Sequence, residues 1–181
     1  MKRMLCIISV LALLGGLAGC GGGDTGRFTK KDLSLYDTVS KKTVSLGMSR
    51  DEIEKILGEP DEDESTSMYS HYKGLNVGYK ENEAVFLELE FSKEGSASFR
   101  TARGININSS KKEISAVYGD DWNDYDDLSI YLDKEFNLMP RGTITVDDEI
   151  EYCISFSFEY DDKLSLYMGK YDNIVQVDFG K

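Results

Sequence analysis

Two periods of apolar and polar residues run along the chain. In the stretch Ser49-Arg50-Asp51-Glu52-Ile53-Glu54-Lys55-Ile56-Leu57-Gly58 the apolar residues Ile53, Ile56 and Leu57 fall at i, i+3 and i+4, the stripe of a helix packed by one face. At an offset of 61, Ser110-Lys111-Lys112-Glu113-Ile114-Ser115-Ala116-Val117-Tyr118-Gly119 repeats the pattern with Ile114, Val117 and Tyr118. Ser49 and Ser110 are suited to N-caps, and Glu52 and Glu113, three residues on, complete capping boxes. Gly58 and Gly119 suit the position that ends a helix, and Pro60 enforces the first stop. Such short helices are marginal alone and need a larger partner.

That partner is sheet. Val85, Leu87, Leu89 and Phe91 alternate with Phe86, Glu88 and Glu90, and Tyr152, Ile154, Phe156 and Phe158 alternate with Cys153, Ser155 and Ser157. One apolar and one polar face per strand is the pattern of an antiparallel sheet covered on a single side. Strands are predicted over 68–72, 75–80, 84–91 and 97–102 after the first helix, and over 129–133, 150–158, 164–169 and 173–179 after the second, with an insertion near 136–148. The fold class predicted is α+β: two tandem helix-plus-four-stranded antiparallel repeats, 44–106 and 107–181, forming one eight-stranded sheet with both helices on one face.

Ahead of the repeats, Lys2 and Arg3 precede an apolar run from Leu5 to Leu14 that is too short to span a bilayer, the form of a signal peptide over residues 1–19. It ends in Leu17-Ala18-Gly19-Cys20, which resembles the bacterial lipobox. The resemblance implies cleavage before Cys20 and acylation of its thiol, with palmitate-type chains holding the protein at the cell membrane on its extracellular or periplasmic side. Residues 20–43, opening on Gly21-Gly22-Gly23, have the composition of a flexible tether. Within them, residues 29–36 have an ambiguous period and are read as able to form a short helix on docking.

The chain has 181 residues and a formal charge of −12, which becomes −14 once Lys2 and Arg3 are removed with the signal. That sign repels phosphate backbones and argues against nucleic-acid binding. Of three cysteines, Cys6 leaves with the signal and Cys20 takes the lipid, so Cys153 has no partner for an internal disulfide.

The segment Gly47-Met48-Ser49 to Leu57-Gly58-Glu59-Pro60 resembles the signature of two lipoprotein and secreted families. One is the small lipoprotein of the outer-membrane β-barrel assembly machinery, with one copy of the motif. The other is the β-lactamase inhibitor protein, with two tandem copies whose sheets join into a concave, partner-gripping surface. The internal duplication is more similar to the second architecture. The second copy departs from the signature, with Asn108-Ser109 for Gly-Met and Asp121 for the proline. The inhibitors' contact residues have no recognisable counterparts.

Few residues offer chemistry. Ser70 and His71 are adjacent in a predicted strand and therefore point to opposite faces, so they do not form a hydrolase pair. Glu88 and Glu90 share one strand face, as paired carboxylates in solvated sheets commonly do. The acidic stretches 59–64 and 120–127 lack the ligand order of a calcium loop and read as solvated loops. No catalytic residue, metal ligand or cofactor is assigned. The polar sheet face is instead interrupted by aromatics, and Tyr69, His71, Phe86, Glu88, Arg100, Tyr131, Ser155 and Tyr167 are predicted to project there as a protein-binding patch. The function expected is a lipid-anchored, non-enzymatic envelope protein that binds another envelope or secreted protein through this face. The alternative is a scaffold subunit of an envelope assembly complex.

Overall fold

A computed structural model describes residues 26–61, 65–66, 68–123, 126–139, 149–159 and 163–171. Helix α1 covers Arg50–Leu57 and α2 covers Lys111–Tyr118. Both begin with the predicted capping box. The Glu52 carboxylate accepts from the Ser49 backbone N–H and hydroxyl, each at 2.8 Å, and Glu113 does the same for Ser110 at 2.8 Å. Both end on a glycine with positive φ, 91° at Gly58 and 94° at Gly119, where a side chain would strain the turn.

The main sheet has seven strands, all paired antiparallel: β3 (Tyr69–Tyr72), β4 (Leu75–Lys80), β5 (Glu83–Leu89), β10 (Lys163–Lys170), β9 (Tyr152–Glu159), β7 (Asp127–Leu132) and β8 (Leu138–Met139), in that spatial order. The strands that follow α1 form one flank and those that follow α2 the other. The flanks meet where β5 pairs with β10, with Leu89 opposite Leu166 and Leu87 opposite Met168.

One sheet face is packed. Leu75, Val77, Leu87, Leu89, Leu166, Met168, Ile154, Phe156, Leu128 and Ile130 are buried there in one core with Ile53 of α1 and Ile114 of α2. Tyr118 of α2 lies 4.8 Å from the Phe156 ring, and the Arg50 guanidinium of α1 sits 4.2 Å over the Tyr79 ring. Ser70 is on this side, bonded by Arg50, whereas His71 faces the other way.

Two expectations are corrected. The sheet is not a single eight-stranded layer: among the described residues, β6 (Phe99–Thr101), read as the fourth strand of the first repeat, leaves the main sheet and pairs with β1 (Ser34–Asp37), which also pairs with β2 (Lys42–Ser45). Residues 26–43, read as tether, are folded. Phe28, Leu33 and Leu35 are buried in the core, and a short 3-10 turn at Lys30–Leu33 leads into β1. Burial of these side chains supplies what a tether lacks, apolar area removed from water. Arg103 secures the segment: it meets the Asp32 carboxylate at 2.7 Å, the Val117 carbonyl at 2.9 Å and the Gly26 carbonyl at 3.0 Å, and lies 4.1 Å over the Phe28 ring. The signal peptide, Cys20 and the strand expected at 173–179 lie outside the described residues.

Candidate functional site: the open face of the main sheet

Strand register places side chains on the uncovered face in two principal rows. The first runs Tyr69, Gly78, Phe86, Gly169, Cys153, Tyr131 and Met139 across seven strands, and the second runs His71, Asn76, Glu88, Tyr167, Ser155 and Ser129. In the first row, glycines flank Phe86 on both sides. A Cβ at residue 78 would overlap the Phe86 ring, and one at residue 169 would sit 2.9 Å from Phe86 Cβ and 2.7 Å from the Tyr167 hydroxyl. The missing side chains let the Phe86 and Tyr167 rings lie down on the backbone.

The rings form a continuous run. His71 and Tyr69 meet edge-on with centroids 4.6 Å apart, Tyr69 and Phe86 are 5.5 Å apart, and Phe86 and Tyr167 stack at 5.6 Å with 26° between planes. Such pairs add attraction beyond area burial. Each of these rings is half-buried because it leans on its neighbour.

Beside the rings lies a hydrogen-bonded acidic strip. Asn76, only 2% exposed, donates from its amide nitrogen to Glu88 at 3.0 Å and to Glu90 at 2.8 Å. With both amide protons used, its oxygen accepts from His71 Nδ1–H at 2.8 Å. The Tyr69 hydroxyl donates to Glu88 at 3.2 Å. Burial, followed by the Glu88 charge, pushes the Tyr69 phenol well above its ordinary pKa. Among the described residues, neither Glu88 nor Glu90 is ion-paired to a Lys or Arg.

Seven of the eight residues predicted for the patch share this face. Tyr69, His71, Phe86, Glu88 and Tyr167 form one connected group. Ser155 stands two strands from Glu88, its hydroxyl 3.2 Å from that of Ser129. Tyr131 stands beyond Gly169 and Cys153, edge-on to Tyr171 at 5.8 Å. Arg100 does not belong: it is on β6, exposed, opposite Tyr36 of the small sheet. Its strand has the predicted alternation but a different partner.

Sequence reasoning placed Glu90 on the polar face beside Glu88 without including it in the patch, and missed Asn76, Tyr171 and the two glycines as parts of the face. The signal for Asn76 was a polar residue inside the apolar run Leu75-Asn76-Val77, which needs a buried partner. Cys153 is buried between Gly169 and Tyr131, and loss of water pushes its thiol pKa up to about 12, the setting of a packed thiol. Among the described residues no group of His, Cys, Asp or Glu is arranged to hold a metal ion, and no helix is long and apolar enough to cross a membrane. Comparison of the chain with family models, curated proteins and solved structures gives no match.

Proposed function

We propose that this is a lipid-anchored, non-enzymatic protein of the bacterial envelope that binds another protein through the open face of its main sheet. The single observation that carries the reading is the ring-and-carboxylate surface from His71 to Tyr167, on the side that, among the described residues, no helix covers. Aromatic rings held in place by glycine contacts offer large contact area at little entropic cost, and clustered Tyr residues are the side chains that anchor protein interfaces.

Within the same reading, the chain is a tandem duplication of the kind seen in the β-lactamase inhibitor family. The matched capping boxes and glycine stops of α1 and α2, and the meeting of the two flanks at β5 and β10, support this. The anchor is the lipid on Cys20, supported by the lipobox-like Leu17-Ala18-Gly19-Cys20.

The test is site-specific photo-crosslinking in the host envelope. A photoreactive phenylalanine analogue at residue 69 or 131 is expected to give one discrete protein adduct, and the same analogue at exposed Lys112 on α2 is expected to give none. Adducts of the same pattern from all three positions, or none from the sheet face, would overturn the reading. Cys20→Ser is expected to turn durable retention in the membrane fraction into retention that a high-salt wash removes.

A further inference from the structure

The charge of this acidic chain is unevenly spread. Residues 26–49 and 96–104, which build the three-stranded sheet and its turns, hold seven Lys or Arg against two Asp, whereas the whole chain has 21 against 33. Both acids are turned inward. Asp32 is bound to Arg103, and Asp37 accepts from the Val39 and Ser40 backbone N–H groups at 2.9 and 3.0 Å. Six of the cations, Arg27, Lys30, Lys31, Lys41, Lys42 and Arg100, are exposed.

The outward face of this sheet gives the charges an amphipathic setting. Tyr36 is at its centre, 40% exposed, between Thr43 and Arg100. Lys30 and Lys31 border a shallow groove of 510 Å³ that Tyr36 also lines. Val39, in the turn after β1, is 79% exposed. A tyrosine, an aliphatic tip and surrounding Lys and Arg are the groups that settle at a membrane's headgroup level.

Position supplies the second argument. Gly26 is tied to this sheet through Arg103, and six peptide units separate it from Cys20. Six units reach at most about 20 Å. If Cys20 is in a bilayer, the three-stranded sheet and the end of α2, which Arg103 also binds, are the parts of the fold held next to it.

We propose that the outward face of the three-stranded sheet docks on an anionic lipid surface, Arg100, Lys30 and Lys31 meeting the headgroup phosphates and Tyr36 and Val39 entering the interface. The positional half of the argument rests on the reading of Cys20 as the anchor. The electrostatic half does not. An acyl chain holds a protein durably only with a second membrane signal, and a basic patch is one such signal.

The experiment separates the two halves. Unacylated mature chain, residues 20–181 with Cys20→Ser, is sedimented with vesicles of phosphatidylcholine containing phosphatidylglycerol and with vesicles of phosphatidylcholine alone. Binding to the anionic vesicles only is expected, falling by at least about a hundredfold when Lys30, Lys31 and Arg100 are all changed to Glu. Changing Lys80, Lys112 and Lys134, equally exposed but outside the face, to Glu is expected to leave most of the binding intact. Equal partition into both vesicle types, or equal loss in the two triple variants, would overturn the proposal. Circular dichroism of each variant shows that the fold is retained, and Lys30→Gln with Lys31→Gln is the milder pair if reversal at Arg100 disturbs β6. Acylation is read separately, from the mass of the peptide that begins at Cys20 in host membranes. An unmodified cysteine there removes the anchor and leaves the vesicle result to decide the docking face.

Discussion

A methyl group at residue 78 has nowhere to go. Alanine usually improves on glycine in a strand, because glycine loses more chain entropy on folding. Here the new Cβ meets the Phe86 ring, which is itself confined by Gly169 on the other side. Gly78→Ala is therefore expected to destabilise the protein by about 1–3 kcal/mol in urea unfolding, the cost of overpacking. Tyr69 gives a second residue-scale test. Its phenol is raised mainly by burial and secondarily by the Glu88 carboxylate. A raised phenol favours the folded, neutral form at all pH below the ordinary tyrosine value, and that contribution is lost as pH rises beyond it. In absorbance titration at alkaline pH, Glu88→Gln is expected to lower the Tyr69 midpoint only partway toward its ordinary value. A full return would mean that charge, not burial, dominates.

At the scale of the element, each helix depends on one reciprocal cap. Ser49→Ala and Ser110→Ala are each expected to cost about 1 kcal/mol of stability. Hydrogen bonds from the Ser backbone and hydroxyl hold the Glu52 and Glu113 carboxyls below their ordinary pKa. Depressed carboxylates contribute stability above their unfolded pKa and lose it as pH falls through the folded value. Glu52→Gln should accordingly destabilise at neutral pH and become nearly silent in acid, a difference that urea unfolding at the two pH values measures. These helices were legible in the sequence because a cap and a stop are local signals, read within ten residues. Strands β5, β9 and β10 were legible for a similar reason, since six or more alternating residues fix both period and face. The small sheet was not. Strands β1 and β2 have four residues each, too few for alternation to stand out, and β6, read as a strand, pairs with β1 across most of the first repeat. The site divides in the same way. Phase alone put seven residues on one face, while Arg100 was lost because phase cannot say which sheet a strand joins.

For the whole molecule, the decisive contact is between distant parts of the chain. Arg103 reaches an aspartate 71 residues away, and at 15% and 7% side-chain exposure the pair is largely out of water. The same guanidinium spans the first described residue, the end of α2 and the Phe28 ring, so it joins the N-terminal segment, both sheets' common core and the second helix at one point. Loss of one member of a buried ion pair leaves the other charged without a partner, which costs about 3–5 kcal/mol. Arg103→Ala is expected to lower stability by that order and, more tellingly, to detach residues 26–45 before the main sheet melts. Trypsin provides the readout, since Lys30 and Lys31 lie in the detached segment: early cleavage there, with the seven-stranded sheet still protected in hydrogen exchange, is the expected result. Arg103→Lys keeps the charge but not the planar fork that serves three acceptors, and should fall between the two. Simultaneous loss of protection in both sheets would instead make the molecule one cooperative unit, with the basic sheet inseparable from the surface it supports.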